Sequence, residues 1–272
     1  MRACRLQEVE QVPVWFQRQA GRSLPEYRNI RGTGSILETI ANPSLAAEIT
    51  LQPVRRYGVD AAILFSDIVV PVNAIGFNVD VVPGIGPTVD QPFRDRTDLN
   101  RLRVLEPEVD TSDVLATVEI LAEELEVPLI GFAGAPFTIA SYLIEGQPSR
   151  NHARTKSLMY SEPRVWHDLM ERLSDIAIAS MRSQILAGAS AVQLFDSWAG
   201  ALSADDYSNY VFPHSQRVFS ELEDLEVPRA HFGVGTGELL SLMSEAGADV
   251  VGADWRVPID EVRRRVGSDT AV

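Results

Sequence analysis

The feature of this sequence that most constrains its fold is the alternation of short apolar runs with longer helix-like segments. Six runs have the length of a β-strand: VWF (14–16), AAILF (61–65), PLIGF (128–132), AVQLF (191–195), AHFGV (230–234) and DVVGA (249–253). Strands that alternate with helices indicate βα units and a parallel sheet. The pattern therefore predicts an α/β fold, either a barrel or a doubly wound sheet.

The segments between these runs carry signals for helix ends and for one hairpin. The spacing of Leu45, Ile49 and Val54 predicts a helix that ends at Gly58. A Thr-Ser-Asp cluster predicts a helix over 111–125, and helices are expected within 150–188. Alternating residues around a Pro-Gly turn predict a hairpin within 77–93. No linker divides the chain, so a single domain over residues 1–272 is expected.

Composition narrows the classes of partner and compartment. The formal net charge is -14, which argues against nucleic acid or an anionic membrane as a partner. Lys156 is the only lysine, so the composition suggests a high-salt cytoplasm or an arginine-biased genome. Cys4 is the only cysteine, which excludes a disulfide framework and favours the reducing cytoplasm. No secretory signal pattern and no apolar run of about 20 residues is present, so a cytoplasmic protein is expected.

Polar side chains follow three of the apolar runs. The first run is followed by Arg18, Gln19 and Arg22. The second run is followed by Ser66 and Asp67, and the fourth by Ser197. The carboxyl ends of parallel strands carry active sites in barrels and doubly wound sheets. Each residue also has a structural explanation, because an Asp after a strand often caps the next helix and arginines often form surface ion pairs.

Several motifs give the chain a specific resemblance. PVWFQRQAGR, LQPVRRYGVDAAILFSDI, VPLIGFAGAPFT, SYLIEG and QLFDSWAGAL occur in this order. Together they resemble the uroporphyrinogen decarboxylase family over residues 12–267. The resemblance implies a distorted TIM-type (β/α)8 barrel, a homodimer, and no cofactor or metal. It also implies loss of carbon dioxide from the four acetate arms of uroporphyrinogen III, which gives coproporphyrinogen III in heme biosynthesis.

The same resemblance implies roles for particular residues. Asp67 would accept pyrrole N–H hydrogen bonds and offset positive charge on the substrate, and Arg18 would be a candidate general acid. The substrate-binding positions implied are Arg18, Gln19, Ala20, Gly21, Arg22, Asp67, Tyr142 and Ser197. Guanidinium groups bind carboxylates in a bidentate fork, which suits a substrate with eight acidic arms. Trp198 stands where the family pattern has a histidine.

The family pattern also continues beyond the run at 249–253, with two more strands and a histidine that lines the cleft. This sequence stops at VGSDTAV, where a seventh strand would begin, so a barrel truncated after about six strands is expected.

Two alternatives remain open at this stage. One is a zinc-dependent, corrinoid-type methyltransferase of the same fold, although His152, His167, His214 and His231 show no zinc-ligand spacing and are interpreted as surface or helix residues. The other is an inactive remnant that binds a tetrapyrrole.

Overall fold

The apolar runs form a five-stranded parallel sheet in the computed structural model, which describes residues 1–15, 24–32, 34–82 and 84–272. Its strands are β1 (Ala62–Ile63), β4 (Leu129–Gly134), β5 (Ala191–Asp196), β6 (Arg229–Gly233) and β7 (Val250–Gly252), in the spatial order β1-β4-β5-β6-β7. All four pairings are parallel and join strands that are consecutive along this sheet. This order is typical of a sheet that curves toward a barrel, and it confirms the expected fold class.

Helices separate the strands of this sheet, as the alternation predicted. They are α1 (Pro25–Arg31), α2 (Ile36–Ile40), α3 (Pro43–Tyr57), α4 (Val70–Val72), α5 (Pro107–Asp110), α6 (Ser112–Glu124), α7 (Pro136–Glu145), α8 (Ala153–Ser161), α9 (Pro163–Leu186), α10 (Ala204–Tyr210), α11 (Phe212–Ser220), α12 (Leu240–Glu245) and α13 (Ile259–Val266). A π-helical turn spans Asn73–Phe77, and 3-10 turns span Ala3–Arg5, Arg96–Arg101, Ala199–Ala201, Glu223–Leu225 and Gly237–Leu239. Helix α3 ends where the sequence predicts, and Gly58 caps its C-terminus with φ 59°.

The predicted hairpin forms outside the main sheet. Strands β2 (Val79–Val82) and β3 (Gly86–Val89) pair antiparallel, with Val79 opposite Val89. Gly84 adopts φ 82° in the connecting turn, a conformation that glycine adopts without strain.

The first predicted strand is not observed in the residues that the structure describes. Val14 and Trp15 have no strand assignment, and Phe16 lies outside the described residues. Val14 instead bonds to Asp60, whose Oδ2 accepts the Val14 N–H at 2.8 Å and whose N–H donates to the Val14 carbonyl at 3.0 Å. A single residue pair is too little for a ladder, so the parallel sheet of the described residues has five strands rather than the six predicted.

The far edge of the sheet carries one further contact. Ala271 forms an isolated parallel bridge with Val250 of β7. Its N–H donates to the Asp249 carbonyl and its carbonyl accepts from Val251, both at 2.9 Å. The segment at 270–272 therefore lies where the next strand of a parallel sheet would pair.

The core lies between the sheet and the helices that cover it. The longest helix, α9, buries Trp166, Leu169 and Leu173 against β4 and α7. Val192 and Leu194 of β5 join the same cluster, so the even-numbered positions of β5 face the helices. Among the described helices, none is long and apolar enough to cross a membrane.

Candidate active site

Three of the predicted site residues lie at the carboxyl edge of the sheet. Asp67 follows β1 by four residues, Ser197 follows β5 directly, and Tyr142 lies on α7, the helix after β4. Because the strands are parallel and β1, β4 and β5 are neighbours, these positions converge at one edge. The charge of Asp67 acts on the Tyr142 hydroxyl and contributes to raising its pKa, which places these two groups within electrostatic reach.

The backbone around Asp67 is fixed by hydrogen bonds. The buried Thr50 side chain of α3 accepts the Phe65 N–H at 2.9 Å, which anchors the end of the β1 segment. Asp67 Oδ1 then accepts the Val69 N–H at 3.1 Å, and the Asp67 carbonyl accepts the Val70 N–H at 3.2 Å. Asp67 therefore makes the local turn contact at the start of α4 that a strand-end Asp was expected to make.

This half-buried carboxyl group is electrostatically unusual. Burial raises the pKa of Asp67 above its ordinary value, and the N–H groups of Val69 and Ile68 oppose that shift. Asp67 also lines a small cavity of about 10 Å³ together with Phe132 and Gln184. A carboxylate in this setting is stabilised further by any ligand that brings N–H donors or positive charge to it.

Tyr142 is a buried phenol held beside Trp198. Their rings meet edge to face with centroids 5.8 Å apart. Burial raises the pKa of Tyr142, the Asp67 charge raises it further, and a hydrogen bond from the Trp198 side chain lowers it. Tyr142 therefore keeps its proton at neutral pH and can donate a hydrogen bond to an anionic group.

Ser197 is half-buried in a turn of the chain that Trp198 continues. Trp198 packs its ring between Tyr142 and His152, at centroid distances of 5.8 and 5.3 Å. Trp198 thus provides an aromatic contact beside Ser197 at this edge of the sheet.

Sequence reasoning missed an aromatic row on the sheet. Phe132, Phe195 and Phe232 are half-buried on the neighbouring strands β4, β5 and β6, and each ring meets the next edge to face, at 5.3 and 5.9 Å. Since Val192 and Leu194 face the helices, the alternation along β5 directs Phe195 to the opposite face. The row is thus an apolar surface on the face of the sheet away from the helices.

Phe132 is held in the row by the side chain of Gln184 from α9. The Gln184 amide accepts the Phe132 N–H at 2.9 Å and donates to the Phe132 carbonyl at 3.0 Å. The recurring Phe near the end of three apolar runs was the available signal, but continuous apolar runs do not show which face each residue takes.

The arginine cluster lies outside the described residues. Arg18, Gln19, Ala20, Gly21 and Arg22 all belong to the segment 16–23, so their predicted roles stay predictions.

The interpretation of the histidines as surface or helix residues was wrong for two of them. His231 lies on β6 and is fully buried, and His152 is buried just before α8. His167 on α9 and His214 on α11 are helix residues, and their rings form a hydrogen bond at 2.9 Å. In the part of the chain that the structure describes, no three His, Cys, Asp or Glu side chains group as metal ligands.

Comparison with known proteins decides the family. The family model described as uroporphyrinogen decarboxylase matches residues 1–272. The chain belongs to the uroporphyrinogen decarboxylase family. Among curated proteins, the uroporphyrinogen decarboxylase of Streptomyces avermitilis is 60% identical over 273 residues, which cover 100% of this chain and 77% of that protein. The uroporphyrinogen decarboxylase of Thermobifida fusca is 61% identical and is covered to 75% of its length.

A solved structure supports the fold independently. A methyltransferase from Methanosarcina mazei superposes with a TM-score of 0.78 over 99% of this chain and 79% of its own, at 18% sequence identity. Identity this low shows a shared fold and leaves the chemistry open. The methyltransferase alternative is therefore not favoured, because the relatives with about 60% identity are decarboxylases.

Proposed function

We propose that this chain removes carbon dioxide from the four acetate side chains of uroporphyrinogen III and releases coproporphyrinogen III, a carboxy-lyase step of porphyrin and heme biosynthesis. The observation that carries the proposal is the 60% identity to a curated uroporphyrinogen decarboxylase over the whole of this chain. The converging positions of Asp67, Tyr142 and Ser197 support it, because they offer one anion and two hydroxyl groups beside an apolar surface.

The reaction needs an electron sink, since breaking the bond between the methylene and the carboxyl group leaves an electron pair behind. A pyrrole can supply this sink itself when the ring carbon beside the acetate-bearing carbon is protonated. The electron pair then neutralises the cationic ring as carbon dioxide leaves. A second proton converts the exocyclic methylene to a methyl group, and loss of the proton added to the ring restores the pyrrole. The proposed mechanism thus proceeds without a cofactor.

Asp67 is proposed as the residue that binds the pyrrole N–H groups and stabilises the cationic ring. Its half-buried position supports the role, because a charge interaction is stronger where water is partly excluded. Its pKa, raised by burial, would fall again when cationic substrate forms beside it.

Tyr142 and Ser197 are proposed to bind substrate carboxylates. The pKa of Tyr142 is raised by burial, which keeps its hydroxyl a donor, and Ser197 is half-buried at the same sheet edge. The row of Phe132, Phe195 and Phe232 is proposed to contact the apolar faces of the tetrapyrrole, because three adjoining rings present a continuous apolar surface.

The segment 18–22 is proposed to bind the remaining acidic arms. Arg18 and Arg22 offer bidentate guanidinium groups, Gln19 and the Ala20 backbone offer neutral hydrogen bonds, and Gly21 permits close backbone approach. Arg18 is also proposed as the general acid, although a guanidinium gives up its proton at neutral pH only if its pKa is strongly depressed.

A homodimer and a cytoplasmic location complete the proposal. The homodimer rests on the family resemblance. The location rests on the single cysteine, Cys4, which fits a reducing compartment. Sedimentation velocity of the purified chain at micromolar concentration tests the dimer directly, and a purely monomeric protein would contradict it.

The function is tested by anaerobic incubation of the purified 272-residue chain with uroporphyrinogen III, followed by oxidation and a count of carboxyl groups on each porphyrin. We expect porphyrins with seven, six, five and finally four carboxyl groups, because four of the eight are acetates. Substrate that binds but keeps all eight carboxyl groups would contradict the proposal and favour a tetrapyrrole-binding protein.

A further inference from the structure

Three polar side chains are fully buried behind Ser197 and Trp198, on the helix-covered side of the sheet. They are Thr138 of α7, Asp196 of β5 and His231 of β6, each 0% exposed. Asp196 and His231 lie on the same face as Leu194, whose register partner is His231. The three residues thus lie on the opposite face of the sheet from the aromatic row and would not touch a ligand bound on it.

Thr138 connects this buried group to the backbone of the site. Its hydroxyl donates to Asp196 Oδ1 at 2.9 Å and accepts the backbone N–H of Trp198 at 3.2 Å. Ser197 therefore lies between two residues that the same hydroxyl group holds. Thr138 also lies one helical turn before Tyr142, so one side chain relates the turn at 197–198 to α7.

His231 lies beside Asp196, and neither of its ring nitrogens has a hydrogen-bond partner in the described residues. Asp196 Oδ2 has no hydrogen-bond partner in the described residues, but His231 Nε2 lies 3.7 Å from it. A buried carboxylate without a compensating partner is strongly destabilising. The imidazole is itself held by packing, because the Phe219 ring of α11 lies 5.1 Å away. Burial raises the pKa of Tyr207, and the neighbouring Asp196 raises it further.

We propose that Thr138, Asp196 and His231 form a positioning triad that fixes the turn at Ser197 and Trp198 against α7. None of the three contacts substrate. They act by holding Ser197 and the Trp198–Tyr142 ring pair in a single arrangement, and misplacement of a binding group by about 1 Å can reduce turnover on the order of 100-fold. The kinetic consequence rests on the proposed function, whereas the anchoring itself does not.

The anchoring is tested without substrate by hydrogen exchange at the Trp198 amide. Thr138→Val removes the acceptor of that N–H, so we expect its exchange to accelerate at least roughly 10-fold while exchange within the β2–β3 hairpin stays unchanged. Thr138→Ser keeps the hydroxyl and should restore protection. Thr117→Val is the matched control, because Thr117 is also a buried helix threonine but donates only to the Asp113 carbonyl. Unchanged Trp198 exchange in Thr138→Val would overturn the proposal.

His231 is tested in the same way. His231→Gln keeps a polar N–H group on the side chain that faces Asp196, whereas His231→Leu leaves Asp196 Oδ2 with no polar neighbour from β6. We expect faster Trp198 exchange in the Leu variant and near wild-type exchange in the Gln variant. Wild-type exchange in the Leu variant would remove His231 from the triad.

Kinetics test the consequence for the site. We expect Thr138→Val to lower kcat for decarboxylation about 10- to 100-fold with KM changed less than about threefold, and Thr138→Ser to recover most of the loss. Thr117→Val also removes a buried threonine hydroxyl, so it controls for a general loss of stability. We expect it to lower the melting temperature without lowering kcat. Equal kcat in Thr138→Val and Thr117→Val would contradict a positioning role. If the wild-type chain shows no turnover, the proposed function fails, and the exchange experiment still decides the anchoring.

Discussion

Asp67 lies in a half-buried turn within reach of Tyr142, and its charge is the property that the proposed reaction requires. Asp67→Asn keeps the size and the acceptor for the Val69 N–H but removes the charge. We expect kcat/KM to fall roughly 100- to 1,000-fold, because loss of a stabilising group for developing charge has effects of this size. Steady-state assays under anaerobic conditions measure it.

The pH dependence of kcat/KM tests the role of Asp67 a second time. Burial raises the pKa of Asp67. As pH falls, Asp67 therefore takes up its proton at a higher pH than an ordinary aspartate does. Wild-type kcat/KM should therefore fall on the acid side, and Asp67→Asn should lack that limb. Asp80→Asn is a matched control, since Asp80 also accepts a neighbouring backbone N–H but is exposed in the hairpin. An identical acid limb in Asp67→Asn would assign the titration to another group.

At the scale of elements, α9 and α11 meet through a pair of histidines. His167 Nδ1 and His214 Nε2 lie 2.9 Å apart, and the Tyr210 ring stacks on His167. Burial lowers the pKa of His214 to about 4, and the nearby His167 and Arg217 add to the shift. The folded protein thus resists protonation of His214 at a pH where the unfolded chain, with an ordinary pKa of 6.5, accepts the proton.

This pair predicts that stability falls with pH over a defined window. The contribution of His214 is fully present above pH 6.5 and is lost as pH falls toward about 4. Allowing for the partial exposure of the ring, we expect a loss of about 1–2 kcal/mol in the free energy of unfolding. Urea titrations at several pH values measure it. His214→Gln should flatten the dependence over this window, and equal slopes in both proteins would contradict the prediction.

At the scale of the whole molecule, the net negative charge affects the stability of the fold. The chain has 38 acidic and 24 basic residues, so its formal net charge of -14 disfavours the compact state by self-repulsion. The Debye screening length falls to about 3 Å at 1 M salt, which weakens that repulsion. We therefore expect the melting temperature to rise by several degrees between 0.1 and 2 M KCl.

Surface ion pairs such as Arg182 with Asp224 weaken in salt and act in the opposite direction, but each contributes little. Sucrose solutions serve as the control, because they favour burial without screening charge. A melting temperature that is flat in KCl would contradict both the repulsion and the high-salt interpretation of the composition.

Local sequence patterns were sufficient to predict much of the order of helices and strands. They also predicted some of the candidate site residues at the carboxyl edge of the sheet. Gly58 and the Pro-Gly hairpin were predictable because caps and turns depend on a few neighbouring residues. The grouping of Asp67, Tyr142 and Ser197 followed from the order of strands and from the family motifs. The lack of a strand assignment at Val14 and Trp15 was not predictable, because strand pairing depends on residues distant in sequence.

The sequence by itself therefore determined the βα alternation, the family, and which polar residues follow each strand. Only the tertiary structure decided which face each strand residue takes, because continuous apolar runs are compatible with either face. It directed Phe195 to the open face and Asp196 to the helix side, where the Thr138 hydroxyl donates to its Oδ1 and His231 Nε2 lies 3.7 Å from its Oδ2. These neighbours of Asp196 come from α7 and β6, which only folding brings together.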